Sequence, residues 1–412
     1  MNDSQEPDPR PLRYRPASLS LYVHLPFCAS KCWYCDFNAG VAEPAERQRY
    51  LQALQREIQS SPWQGVPCEA LLIGGGSPSA LEIRQLEPIL TSVTNRFPFS
   101  EEAEVTLECN PEDATPQKLS AWRSFGINRL SLGVQSFQDH YLKALGRRHA
   151  AIDAITACRL AREAGFKNLN LDLLYGLPEQ TMTEWAADLR EAIRLRPEHL
   201  SLYGLSVDAK ASSHRPENVG ALSGFDEETA SRMFELALEE PVRVGYGQYE
   251  ICHFSLPGLA GRYNMSCWSR KPLLGFGTGA ASCMNGVRWT NAVRWSDYCE
   301  SCLRQGFSTF SAERLDPGQQ AVETVILALR TTAGISLDNA ERPGNCAVDR
   351  RFKTLFHEWA QMGLAEVDAA VVRLTPAGQL VSSALFAQIL ERAPAEKPQA
   401  VPKAPEAPRR EP

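Results

Sequence analysis

The sequence predicts an α/β fold: a partial, parallel (β/α)6 TIM-like barrel followed by a smaller α+β, winged-helix-like domain. Three observations carry this. Between about residues 17 and 250, short apolar or β-branched runs alternate with stretches of helical spacing. Unusual polar residues recur where those runs end. After about residue 310 the alternation stops, and helical patterns surround a short ribbon.

The apolar runs fall at residues 19–25, 70–74, 104–108, 129–134, 168–174 and 199–205. Each is followed by apolar residues three and four apart, as at Tyr50, Leu51, Leu54 and Ile58, or at Trp185, Leu189 and Ile193. Strands alternating with helices imply βα units and a parallel sheet. Six consecutive units favour a barrel, closed or partial, over an open doubly wound sheet. No G-x-G-x-x-G follows the first strand, which weakens a dinucleotide reading. Chemistry in such a barrel sits at the C-terminal ends of the strands. There the chain places a cysteine group, Gly74-Gly75-Gly76, Glu108, Gln135 and Asp172.

The remaining segments read differently. Residues 1–16 form a poorly ordered leader rich in Pro, Arg and acidic residues, and residues 393–412 a solvated tail. Residues 251–309 extend the barrel. In 310–392, helical patterns at 321–329 and 352–362 precede strands at 363–367 and 371–375 and a helix over 376–390. Winged helices often bind DNA, but this one has no basic stripe, so a structural or partner-docking role is expected. The net charge of −6 argues against nucleic-acid binding by bulk phosphate attraction. No apolar run approaches the ~18–20 residues that span a bilayer. The first residues lack an apolar core and do not make a secretory signal, so a cytoplasmic location is expected.

Twelve cysteines are many for a cytoplasmic chain, where disulfides are rare. Cys28, Cys32 and Cys35 form a C-x3-C-x2-C motif. Thiolates suit iron–sulfur clusters and zinc. A structural zinc needs four ligands, and no fourth lies at ribbon or finger spacing. A zinc with a distant fourth ligand and three merely packed cysteines are the alternatives. Three thiolates on a four-iron cluster leave one iron open to chelate the amino and carboxylate groups of S-adenosylmethionine. Cys299 and Cys302 make a C-x2-C on a helical stretch with no second pair. Cys68, Cys109, Cys158 and Cys346 read as buried small residues.

The triplet resembles that of the radical S-adenosylmethionine superfamily. Further motifs, Gly74–Ser79, Leu107–Pro111, Arg129–Phe137, Leu145–His149 and Asn170–Pro178, are similar to the oxygen-independent coproporphyrinogen III oxidase-like family over roughly residues 19–390. Its haem chaperone branch is most similar, since Asp36-Phe37-Asn38 follows Cys35 where the oxidase branch has a further cysteine and glycine. Only 27 residues precede Cys28, against a longer extension in the oxidases.

The resemblance implies a 4Fe–4S cluster on the three cysteines and S-adenosylmethionine beside it. Tyr22 would touch the methionine end and Tyr34 would pack beside it. Gly75, Gly76 and Ser77 would meet the amino group through backbone atoms. Glu108 would accept hydrogen bonds from the ribose or amino group, and Gln135, Arg147 and Asp172 would complete the site. Implied partners are haem and respiratory haem-protein clients, with room for a homodimer and peripheral membrane contact. A coproporphyrinogen dehydrogenase is the implied alternative. The branch's His-Asn-x-x-Tyr-Trp motif departs here: Tyr263 stands for the His and Cys267 for the Tyr. A haem ligand there is therefore lost or replaced by Tyr263 or Cys267; His24, His149 and His253 are other candidates. Cys252 and Cys283 are also unexpected in this branch.

Overall fold

Each barrel strand separates its side chains into an apolar face and a polar one. In the computed structural model, which describes residues 10–205, 227–336, 350–368, 371–392 and 399–400, strand β1 (Leu19–Leu25) buries Leu19, Leu21, Val23 and Leu25 in the main core. Ser20, Tyr22 and His24 take the alternate positions and point to the other face. The pattern repeats in β2 (Cys68–Gly75), β3 (Phe99–Cys109), β4 (Arg129–Gln135), β5 (Leu169–Tyr175) and β6 (His199–Gly204). Leu71, Ile73, Val105, Leu107, Leu130, Leu132, Leu171, Leu173, Leu200 and Leu202 join one hydrophobic core. Glu108, Arg129, Ser131, Asn170, Asp172, Ser201 and Tyr203 line a cavity on the opposite face. Fully buried parallel strands usually read as apolar on both faces; here the inner face is polar because it encloses a site.

Helices α1 (Pro44–Ser60), α2 (Ile83–Arg96), α3 (Pro116–Ser124), α4 (Asp139–Ala144), α5 (Ala151–Glu163), α6 (Met182–Arg194) and α7 (Glu227–Arg243) follow the strands in turn. Large side chains such as Tyr50, Leu54, Leu86, Leu119, Trp122 and Trp185 cover the apolar face.

The six strands lie in the order β1-β2-β3-β4-β5-β6, all parallel. β1 and β6 do not pair, so the barrel is partial. Beyond β6 runs an antiparallel hairpin of β7 (Gly247–Glu250) and β8 (His253–Ser255), with β8 against β6. The short α8 (Arg262–Trp268) packs on β1 and β2, where Ser20 Oγ donates to Ser266 Oγ at 2.8 Å. A seventh parallel strand, β9 (Leu273–Phe276), pairs with the free side of β1. β10 (Ala281–Met284), β11 (Val287–Thr290) and β12 (Ser311–Arg314) continue the sheet antiparallel, with α9 (Trp295–Gln305) crossing back onto α1. The segment read as an extension thus supplies β8 on one side of the six parallel strands and β9 to β11 on the other. Its strands are three or four residues long, too short for an alternation to stand out.

The C-terminal unit contains α10 (Pro317–Leu329), β13 (Ile335–Ser336), α11 (Arg350–Gln361), β14 (Ala365–Val367), β15 (Val371–Leu374), α12 (Pro376–Leu380) and α13 (Ser382–Glu391). It has its own core of Leu329, Phe352, Leu355, Phe356, Trp359 and Val372. The ribbon gains a third strand, in the order β13-β15-β14, and the expected last helix divides at Val381. Of the tail, Gln399–Ala400 pairs as β16 with β12. At the other end, part of the leader is packed down: Trp63 Nε1 donates to Tyr14 O at 3.0 Å, and Arg10 lies over the Phe307 ring at 3.9 Å. Cys346 lies outside the described residues; Cys68, Cys109 and Cys158 are buried, as expected. Cys299 and Cys302 are buried on α9 beside the main core.

Candidate cluster and cofactor site

The three cysteines sit in the loop between β1 and α1. Its ends are stapled by Gly40 N–H donating to Pro26 O at 2.8 Å and Cys28 N–H donating to Gly40 O at 2.9 Å. Its middle is pinned by Trp33, whose Nε1 donates to Ala144 O at 2.5 Å. Trp33 is buried with Tyr141, Leu145, Leu174, Leu177 and Leu205 in a separate apolar cluster. An apolar anchor inside a cysteine loop lets the flanking thiols face solvent-accessible space while the backbone stays fixed.

Cys28, Cys32 and Cys35 all line the polar cavity, which has a volume of about 600 Å³, within the roughly 300–1,000 Å³ of cofactor and ligand sites. Burial raises the pKa of Cys28 and Cys35. Each is raised further by negative charge on neighbouring thiols, Cys32 acting on both. Each thiol opposes its neighbour's ionisation, an opposition that a bound metal centre would relieve, since such a centre deprotonates its coordinating thiols. Among the described residues, no group of three or more His, Cys, Asp or Glu side chains is arranged around a single ion.

The glycine run at the end of β2 is explained by contact. A Cβ at Gly74 would meet the Glu108 carboxylate at 2.7 Å, and one at Gly76 would meet Phe27 O at 2.8 Å and Cys28 Sγ at 3.0 Å. Gly75 has φ +117°, a conformation that favours glycine, and its N–H donates to Glu108 Oε2 at 3.1 Å. The N–H groups of Gly76 and Ser77 donate to Leu25 O and Phe27 O. Ser77 Oγ donates to Cys28 Sγ at 3.8 Å and accepts from Asn110 Nδ2 at 2.9 Å.

Register brings the other residues together. Gly133 pairs with Asp172, and Asp172 with Ser201. Asp172 accepts from Ser131 Oγ at 3.0 Å and Asn170 Nδ2 at 2.8 Å. Gln135 takes φ +69° where the β4–β5 register slips, a strained conformation costing ~1–3 kcal/mol that turns its side chain into the cavity. Arg147 bridges the two sides: Nη2 donates to Asn110 Oδ1 and Gly133 O, both at 2.8 Å, and Nη1 reaches Cys32 Sγ at 4.0 Å. Burial raises the Glu108 carboxyl from 4.5 to about 7, helped by the Asp172 charge.

Of the residues expected at the site, Tyr34, Gly76, Ser77, Glu108, Gln135, Arg147 and Asp172 line the cavity with the cysteines. Gly75 stands behind Glu108. Tyr22 is not among the lining residues: its hydroxyl lies 2.9 Å from His24 Nδ1 and its ring packs 6.1 Å from Tyr263. Asn110, Arg129, Ser131, Asn170 and Asn264 also line the cavity, though the sequence suggested no cofactor role for them; His253, one of the histidines named as haem-ligand candidates, lines it too. The inward period of β4 and β5 was the signal for Ser131 and Asn170. Tyr263, Cys267, Cys252 and Cys283 do not line it.

A loop of three thiols at the mouth of a partial parallel barrel defines a class. The Radical SAM superfamily model matches residues 22–192, and the HemN C-terminal domain model matches residues 315–381. The solved structure of coproporphyrinogen III oxidase (HemN) from Escherichia coli superposes with a TM-score of 0.80 at 24% identity, covering 92% of this chain and 91% of that one. The fold is that of the radical SAM enzymes.

Two relatives refine the placement. The heme chaperone HemW of Bacillus subtilis is 34% identical over 375 residues, covering 90% of this chain and 99% of that protein. HemW of Escherichia coli is 36% identical over 266 residues, 64% of this chain and 69% of that protein. The chain belongs to the HemW family.

Proposed function

We propose that the protein is a haem chaperone: it binds haem, holds a 4Fe–4S cluster on Cys28, Cys32 and Cys35 with S-adenosylmethionine beside it, and passes haem to respiratory haem proteins. The observation that carries this reading is the likeness to the Bacillus subtilis heme chaperone along nearly its whole length, 99% of that protein at 34% identity. The cavity supplies the chemistry that the reading needs.

Held by Cys28, Cys32 and Cys35, such a cluster would supply an electron to the sulfonium and a coordination site for the methionine end of S-adenosylmethionine. The chain's own residues do the positioning. The Gly74-Gly75-Gly76 run allows the backbone to approach a ligand closely, and its carbonyls suit an ammonium. Glu108 and Asp172 face the cavity as acceptors for ribose hydroxyls and as counter-charges to a sulfonium. Arg147 ties the Cys32 side of the cavity to Asn110 and β4, and carries positive charge toward the thiolates.

The oxidase-type fold keeps a porphyrinogen dehydrogenase as the second reading; the presence of Asp36 after Cys35, where a fourth nearby cysteine would stand in an oxidase, favours the chaperone. Anaerobic reconstitution separates them. Stable haem binding without turnover is expected. Deoxyadenosine release coupled to porphyrinogen oxidation, under dithionite and S-adenosylmethionine, would replace the chaperone reading with the enzyme. Clients, self-association and membrane contact belong to the same proposal; among the described residues no helix is long and apolar enough to cross a membrane.

A further inference from the structure

Gln135 closes β4 in an unusual way. Its φ is +69°, and Ser136 N–H donates to Val134 O at 2.9 Å. A bond from the third residue back to the first, with positive φ between them, marks a γ-turn of the rare and strained kind. The turn shortens the strand by one position. Pairing runs Gly133 with Asp172 and then Gln135 with Leu173, where a regular strand would bring Gln135 opposite Leu174. Gln135 is thereby held one residue step, about 3.3 Å, deeper in the barrel. At that level its amide has room because residue 133 is glycine: a Cβ at Gly133 would meet Gln135 Nε2 at 3.0 Å and Arg147 Nη2 at 3.2 Å.

A strained turn persists where its surroundings over-determine it, and here support converges from two sides. Asp188, fully buried on α6, gathers three donors from the residues that follow Gln135. Its Oδ2 accepts from Ser136 Oγ at 2.6 Å. Its Oδ1 accepts from Phe137 N–H at 3.0 Å and from Gln138 Nε2 at 3.1 Å. Ser136 Oγ in turn accepts from Gln138 N–H at 3.0 Å. From the other side His149, also buried, sets its Nε2 3.1 Å from Val134 O, the carbonyl that the turn already engages. A carbonyl only accepts, so that nitrogen carries the proton. Asp188 and His149 stand outside the cavity lining; what they touch is the backbone that aims Gln135 into it.

We propose that Asp188 is a positioning residue for the cofactor: by collecting the donors of residues 136–138 it holds Gln135 in its γ-turn and keeps the Gln135 amide beside Arg147. The inference rests on the reading of the cavity as the S-adenosylmethionine site. A carboxylate suits the task, because all three partners are donors and its two oxygens meet them without a competing hydrogen. Asparagine has the same shape but turns an NH2 group toward at least one of those donors. The strand then relaxes toward regular pairing with β5, which carries Gln135 toward the mouth and away from Arg147.

The test measures equilibrium binding of radiolabelled S-adenosylmethionine to the anaerobically reconstituted full chain, in a double-mutant cycle. D188N is expected to bind about tenfold more weakly than wild type while keeping its iron content. Q135G accepts the positive φ without strain but has no amide, and is expected to lose a similar factor. The double variant D188N/Q135G should bind no more weakly than Q135G, since Asp188 has nothing left to position. A merely structural Asp188 would cost the same factor in both backgrounds. If D188N fails to keep its cluster, S136A, which removes one of the three donors, takes its place in the cycle. Wild-type affinity in D188N, or in S136A where that variant decides, overturns the inference. Losses that multiply in the double variant do so as well, as does a Q135G that binds as tightly as wild type. A cluster-loaded wild-type protein that binds no S-adenosylmethionine removes the reading of the cavity and this inference with it.

Discussion

Replacing Glu108 with Gln trades stability against ligand binding, in amounts the structure sets. Burial first, then the charge of Asp172, lifts the Glu108 carboxyl from 4.5 to about 7. A carboxyl with a higher pKa folded than unfolded holds its proton longer in the folded state. Its contribution is therefore fully retained below about pH 4.5 and lost as pH rises through about 7. At about 1.36 kcal/mol per pH unit, the loss levels off above neutrality at a ceiling of about 3 kcal/mol. Cavity water reaching the carboxylate lowers that ceiling. Gln keeps the shape and the acceptor for Gly75 N–H while removing the repulsion with Asp172. Urea unfolding of cluster-free protein should find E108Q more stable than wild type by about 1–3 kcal/mol at pH 8 and equal to it near pH 4.5. The same change should weaken S-adenosylmethionine binding to the cluster-loaded form at pH 8, and wild-type affinity should fall as pH drops below about 7 while that of E108Q stays flat. A variant less stable than wild type at pH 8, or a difference independent of pH, would refute the electrostatic reasoning.

Five further substitutions probe the loop and its support. Alanine at Cys28, Cys32 or Cys35 should each abolish the brown absorption of anaerobic protein; an unchanged spectrum in any of them removes that residue from the ligand set. Gly76→Ala forces a Cβ to 3.0 Å from Cys28 Sγ and 2.8 Å from Phe27 O, so bound iron should fall sharply for ~1–3 kcal/mol of lost stability, read by iron assay and thermal unfolding. Trp33→Ala empties the anchor of the loop, and the barrel core should survive while the rate of cluster loss under chelator rises several-fold; a cluster as durable as wild type would show that the anchor is not needed.

The parallel strands were legible because each contains a five- to seven-residue apolar or β-branched run, some ending at a marked polar residue such as Glu108 or Gln135, and the helices between them carry long apolar spacings. β9 to β12 were not, since four-residue strands such as Leu273–Phe276 give no period to read. The cluster loop was visible from spacing alone, but Trp33, the side chain that pins it, reads in sequence as one more aromatic. Tyr22, whose motif position suggested cofactor contact, has its hydroxyl beside His24 Nδ1 and its ring beside Tyr263.

The direct test of the account is the iron and acid-labile sulfide content of anaerobically purified protein, followed by the electron paramagnetic resonance spectrum of the reduced form with and without S-adenosylmethionine. About four irons and four sulfides per chain, with a spectrum that changes when S-adenosylmethionine is added, is the expected result. Stoichiometric zinc, or a full cluster whose signal ignores S-adenosylmethionine, would contradict it.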